Sequence, residues 1–349
     1  MAYLPLSTAN LPEPTFSPAD DASPEDYFNT VLYTGNASTQ SITGVGFQPD
    51  FVWIKSRDST NTHALYDAVR TATKCLVSAD TTAETTRSGL TSFDADGFSL
   101  GSLGRENASG QTTVAWNWKA NGSGVSNTDG SIPSMVSANT TSGFSIIEYT
   151  GNSTAGATVG HGLGVKPDMM IFKRTSTTGR WITYHSALGA TKYLTLETTE
   201  DESTLTGFLN NTEPTSTLIT LGSDQQANSS GATIICYAFH SVEGFSKFGS
   251  YEGGSSPFVY TGFRPALIWI KSVDSTSDWY CFDDKREGYN VDNDFLELND
   301  LEDEDPADLI DILSNGFKIR GSSGTDPNVS ETYIYACWAS NPFKYSLAR

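Results

Sequence analysis

Short, unbroken apolar runs set the pattern of this chain. Phe51-Val-Trp-Ile-Lys55, Met169-Met-Ile-Phe-Lys173 and Leu267-Ile-Trp-Ile-Lys271 each end in lysine and follow closely on a proline: Pro49, Pro167 and Pro265. Proline disfavours helix in the residue before it. Runs this short, with glycine nearby, fit strands buried on both faces better than helices. A second set is aromatic: Thr113–Trp118, Ile234–Phe239 and Tyr333–Trp338. Ser, Thr, Gly and Asn clusters separate the runs and read as turns. No long stretch carries a helical period. The best short-helix candidate is Asp305–Leu313, with Asp305 as cap and Pro306 at the first helical position.

The runs belong to a larger repetition. Tyr33-Thr-Gly-Asn36, Tyr149-Thr-Gly-Asn152 and Tyr251-Glu-Gly-Gly254 precede the three proline–lysine segments. Proline to lysine is six residues each time (55 − 49, 173 − 167, 271 − 265). An offset of 118 (167 − 49) carries Tyr66 to Tyr184 and Ala72-Thr73-Lys74 to Ala190-Thr191-Lys192. A further 98 (265 − 167) carries Trp181 to Trp279. The expectation is an all-β protein of three tandem, jelly-roll or lectin-like β-sandwich units of about 100 residues. They span 27–120, 141–243 and 244–349. Strand exchange between neighbouring units into fewer, larger sandwiches is the alternative. Residues 1–26, with prolines 5, 12, 14, 18 and 24, read as an extended arm. Residues 121–140 read as a flexible linker, whereas Ser241–Gly244 joins the second and third units directly.

Charge narrows the function. The chain has 349 residues, with 41 Asp and Glu against 21 Lys and Arg, a net charge of −20. That argues against nucleic-acid partners, which need a basic face, and against docking on anionic membranes. No apolar run approaches the roughly 20 residues of a membrane span, so no membrane insertion is expected. The opening Met1–Leu6 lacks the pattern of a secretory signal. Cys75, Cys236, Cys281 and Cys337 show no paired spacing and read as reduced, buried thiols.

Few residues suggest chemistry. Lys55, Lys173 and Lys271 read as strand ends whose amines snorkel to water. Trp181 and Trp279, with His63 in the equivalent place, each follow the proline by 14 residues (63 − 49, 181 − 167, 279 − 265). A sugar-binding sandwich needs exposed rings and hydroxyl-binding carboxylates. Trp181 and Trp279 with Asp278, Asp283 and Asp284 offer that chemistry, and packing within or between repeats is the competing reading. The acidic run from Asp292 to Asp308 lacks the calcium-loop pattern and reads as a solvated loop. No nucleophile elbow, phosphate loop or dinucleotide fingerprint occurs. We therefore expect no enzyme, no cofactor and no metal. Triplets such as Asn36-Ala-Ser38 and Asn107-Ala-Ser109 follow from composition and are not read as glycan sites.

Several segments also form a familiar set: Asp26–Asn36, Gly46–Lys55, Tyr66-Asp-Ala-Val-Arg70, Ala83-Glu84, Ser92-Phe-Asp-Ala-Asp-Gly-Phe98 and Val114–Lys119. Together they resemble an uncharacterised repeat domain of virion structural proteins from tailed bacteriophages, many of marine hosts. The resemblance covers about residues 27–120 and is diluted later, where Arg70 becomes Leu188 and Ser314-Asn-Gly-Phe317 keeps part of the Ser-Phe motif. It implies a non-enzymatic part of the virion exterior, assembled in the host cytoplasm. A tail or tail-fibre component acting in architecture and adsorption is the first reading. A capsid decoration or head-fibre protein, or a carbohydrate-binding receptor module, are the alternatives. The implied partners are other virion proteins met through the arm, further copies of the chain, and host surface glycan.

Overall fold

The computed structural model describes residues 23–339 except 287–289, 291–293, 321–323 and 325. Most of the expected arm, residues 1–22, lies outside the described residues. The protein is nearly all β, with several sheets and, among the described residues, two four-residue helices and one 3-10 turn. The first stretch carries β1 (Phe28–Thr34), β2 (Gln40–Thr43), β3 (Phe51–Ser56), β4 (Ala64–Asp67), β5 (Lys74–Cys75), β6 (Thr85–Thr86), β7 (Leu90–Asp94), β8 (Gly97–Leu100), α1 (Gly104–Asn107) and β9 (Thr112–Trp118). The second carries β10 (Val125–Asn127), β11 (Ser134–Asn139), β12 (Phe144–Thr150), β13 (Ala157–Gly160), β14 (Met169–Arg174), β15 (Trp181–His185), β16 (Lys192–Thr195), β17 (Ser203–Thr204), β18 (Leu218–Leu221), α2 (Gln225–Asn228) and β19 (Thr233–Phe239). The third carries β20 (Ser246–Glu252), β21 (Phe258–Tyr260), β22 (Pro265–Ser272), β23 (Tyr280–Asp283), β24 (Phe295–Glu297), β25 (Ile310–Leu313), β26 (Gly316–Ile319) and β27 (Thr332–Ala339).

Each main sheet draws its strands from one stretch: β1-β9-β3-β4, then β10-β11-β12-β19-β14-β15-β16-β17, then β20-β27-β22-β23-β24. No described sheet exchanges strands between stretches. Smaller sheets β2-β8-β7, β13-β18 and β21-β26-β25 accompany them.

The apolar runs are buried along their whole length because both faces of each main sheet are covered. Side chains alternate along a strand. Phe51 and Trp53 of β3 face a cluster that also takes Met169 and Ile171 of β14, and Leu267 and Trp269 of β22. Their alternates face three separate clusters: Val52 and Ile54 meet Phe98, Met170 and Phe172 meet Ile219, and Ile268 and Ile270 meet Phe317. One core is thus shared by all three stretches, and each stretch keeps one of its own. Aromatic rings fill the shared core. Trp338 lies 4.9 Å from Trp269, 5.5 Å from Trp118 and 5.4 Å from Phe239, centroid to centroid.

The Tyr-x-Gly segments have a local reason. The hydroxyls of Tyr33, Tyr149 and Tyr251 donate to the carbonyls of Glu106, Ala227 and Pro327, at 2.7, 2.6 and 3.0 Å. A Cβ on Gly35, Gly151 or Gly253 would sit 2.1–2.4 Å from a carbonyl oxygen of the same turn, so only glycine fits. The following amide donates to a fully buried asparagine: Asn36 to Asn107, Asn152 to Asn228, Gly254 to Asn328.

Three expectations fail. Residues 121–140 are not a flexible linker, because β10 and β11 lie in them and extend the second main sheet. Asp305–Leu313 is not a helix. Ile310 and Ile312 point into the third core with Asp311 between them, and that period of two belongs to β25. The lysines do not snorkel. Lys55, Lys173 and Lys271 are fully buried.

Candidate functional site

The polar chemistry of this chain collects where the three stretches meet. A ring of main-chain hydrogen bonds marks these seams. Glu84 N donates to Thr175 O (2.9 Å), Glu202 N to Val273 O (3.0 Å) and Glu304 N to Arg57 O (2.8 Å). The first stretch thus binds the second, the second the third, and the third returns to the first. The same offsets relate five of the six participants: 84 + 118 = 202, 57 + 118 = 175 and 175 + 98 = 273, with Glu304 four residues past the matching position 300.

Side chains repeat this circuit. Trp181 Nε1 donates to Val77 O at 2.8 Å, and Trp279 Nε1 to Thr195 O at 3.0 Å. His63 holds the equivalent place, with Nδ1 accepting from Trp53 Nε1 (2.7 Å) and Nε2 set 3.0 Å from Glu297 O. That pairing requires a neutral ring with its proton on Nε2, and burial pushes the His63 pKa well below its ordinary value. Both tryptophans are buried, at 0% and 1% exposure, and neither ring offers a face to a sugar. Of the two readings the sequence offered, packing between repeats holds and the glycan platform does not: the rings tie one stretch to the next.

Two of the three lysines serve the same seams. Lys55 Nζ donates to Ser59 O and, across the seam, to Leu301 O at 3.0 Å. Lys271 Nζ reaches Thr199 O at 3.2 Å, while Lys173 Nζ stays within its stretch on Gly179 O. Burial lowers each amine to a pKa of about 8.

Asp283 is also interior. Its carboxylate takes Arg286 Nε at 2.6 Å and Trp116 Nε1 of the first stretch at 3.0 Å. With 3% exposure and these donors in place it is closed to a ligand, which corrects the expected hydroxyl-binding role. Asp284 is paired with Arg264. Asp278 differs. It is half-buried, and its carboxylate lies with those of Glu297 and Asp300, their oxygens within 4.8 Å of one another. Burial and these neighbouring charges raise the Glu297 pKa to about 7. Carboxylate oxygens at such spacing are what a hard cation takes. The structure does not join Asp278 and Trp279 into one surface, because the ring turns inward. The acidic run is not all solvated either: Glu304 binds Arg57 (2.8 Å) and Arg286 (3.1 Å).

Sequence reading missed the pair Asp67–Arg70 (2.5 Å), buried beside Tyr237 of the second stretch, whose hydroxyl donates to Asp67 at 2.7 Å. The signal was present: 70 + 118 + 98 = 286, so Asp67-x-x-Arg70 recurs as Asp283-x-x-Arg286. The four cysteines are free and buried, as expected. Among the described residues no helix is long and apolar enough to cross a membrane.

Sheets and seams together define a class: a nearly all-β protein whose three stretches close on one another around a shared aromatic core. The chain belongs to a family described as a domain of unknown function (DUF7483), whose model matches residues 23–342. No curated protein matches it, and no solved structure does.

Proposed function

We propose that the chain is a fused trimer: three tandem copies of one β-sandwich unit, closed about an approximate threefold axis. We assign it a structural rather than catalytic role in the exterior of a tailed-phage particle, in the tail or its fibre. One observation carries this reading. The groups that would otherwise suggest chemistry (Trp181, Trp279, the three lysines, Asp283) are engaged in recurring contacts inside and between the units. Closed cyclic contacts of this kind are how subunits of a symmetric oligomer join. The phage assignment rests on the motif resemblance at residues 27–120. In this reading residues 1–26 dock the protein on other virion proteins, further copies of the chain assemble with it, and host glycan is met at the projecting surface.

Mass spectrometry of purified particles, followed by gold-labelled antibody imaging, tests the assignment. Label on the tail is the expected result. Label over the capsid would make it a decoration or head-fibre protein. Presence in infected-cell lysate without incorporation into particles would overturn both. Deleting residues 1–22 is expected to abolish incorporation while leaving the folded body intact.

A further inference from the structure

The outward faces of the sheets β2-β8-β7, β13-β18 and β21-β26-β25 differ. On the first, hydroxyls and a carboxylate satisfy one another: Ser41 meets Ser99 at 3.1 Å, and Ser99 and Ser92 donate to Asp94 at 2.6 and 2.8 Å. On the second, Thr158 is engaged by the chain itself. Ser131 N donates to its Oγ1 and Ile132 N to its carbonyl, both at 2.9 Å. On the third, the matching positions are Phe258 and Tyr260, flanking inward-facing Val259 as Ser41 and Thr43 flank Ile42. These rings are 47% and 57% exposed, and among the described residues no other aromatic side chain is as exposed.

Their posture is specific. A Cβ on Gly316 would lie 3.1 Å from Cε2 and Cζ of Phe258, so that ring lies down over the glycine. Tyr260 is backed by Lys247, whose Nζ is 5.2 Å from the ring centroid and donates to the Tyr260 carbonyl at 2.8 Å. The two residues sit two apart on one strand, roughly 7 Å along it. Beside them, Lys318 pairs in register with Phe258, and Asp311 with Lys318. Arg320 holds Asp311 at 3.2 Å.

We propose that this face binds a pyranose oligosaccharide. Phe258 and Tyr260 stack on the C–H faces of the sugar, while Lys318 and Asp311 hydrogen-bond its hydroxyls. Size favours a sugar over a protein. The exposed parts of the two rings amount to roughly 200 Å², against about 800 Å² per partner in a stable protein interface. The inference does not depend on the particle assignment, because the purified chain itself carries the face.

The test is isothermal titration of the full chain with three probes: maltoheptaose, chitohexaose and a polymannuronate hexamer. At least one is expected to bind. Phe258→Leu keeps Gly316 covered but removes the ring, and Tyr260→Ala removes the second. Each is expected to weaken binding at least tenfold while the melting temperature stays near wild type. Ser41→Ala, at the matching place on the first sheet, is expected to change nothing. Binding of the polymannuronate alone would assign the cationic Lys318 and Lys247 a share in recognition. The proposal is overturned if none of the probes binds at millimolar concentration, or if the variant carrying both Phe258→Leu and Tyr260→Ala binds as wild type does. It is also overturned if the patch instead mediates a dimer, seen by sedimentation, that the same variants abolish.

Discussion

At the seam between the first and second stretches, Asp67 and Arg70 form a buried ion pair that Tyr237 completes. At the seam between the second and third, the position matching Asp67 is His185, and Leu188 stands where arginine would be. His185 Nε2 lies 3.3 Å from Tyr335 O, and Nδ1 accepts from Ala187 N at 3.2 Å. One seam holds two buried charges and the other a neutral imidazole. Yet the main-chain bond beside each is nearly the same length, 2.9 and 3.0 Å. The backbone and the ring N–H of a tryptophan set the seam's geometry, and the buried polar cluster is an interchangeable part. A buried ion pair is costly to desolvate and so is a poor guide to stability, which explains how an imidazole can stand in its place.

The largest test removes the shared element. Trp279→Ala should cost about 3–5 kcal/mol in urea unfolding, the usual loss for a buried tryptophan, and it leaves Thr195 O without its donor. A variant that stays as stable as wild type would show that the seam is held elsewhere. Next comes the charged cluster. Asp67→Ala removes the shorter of the carboxylate contacts of buried Arg70, leaving Glu84 at 3.2 Å, and should cost about 3 kcal/mol. The double variant Asp67→His with Arg70→Leu, which copies the other seam, should recover most of that loss. Failure to recover would mean that the two clusters are not interchangeable.

Acid sharpens the contrast. Burial lowers the His185 pKa to about 4. Between that value and the ordinary 6.5 the unfolded chain binds more protons than the folded one, so this group's contribution is lost as pH falls through the window. The full difference is on the order of 3 kcal/mol. Stability measured from pH 7 to 4 should therefore fall more steeply for wild type than for His185→Gln. Equal slopes would remove the histidine from the account. The smallest effect concerns the lysines. Lys173 is buried with a pKa of about 8, so this group's contribution to stability should grow as pH rises from about 8 to 10.5. Over that range the stability of Lys173→Met should rise less, or fall more, than that of wild type, with Lys55 and Lys271 keeping their own share, and at pH 7 it should differ by no more than about 1 kcal/mol.

Much of the strand framework was legible because its signals are local. A four-residue apolar run after Pro49 declares a strand wherever it packs. The segments that misled were those whose local chemistry points one way and whose neighbours decide another. Val125–Asn127 is polar and glycine-flanked, yet pairing with Ser134–Val136 makes it a strand. Asp305-Pro306 begins like a helix, but Ile310 and Ile312 have the third core to fill.

The sequence by itself determined the positions of the apolar and aromatic strands, the offsets that relate them and the polar residues that recur at those offsets. Only the tertiary structure decided that Trp181 and Trp279 face inward while Phe258 and Tyr260 face out. Hydrophobic burial is non-directional and follows whatever surface is near. For Trp181 that surface includes Val77, 104 residues earlier in the chain. For Phe258 the nearby surface is Gly316, which leaves the ring a floor but no roof.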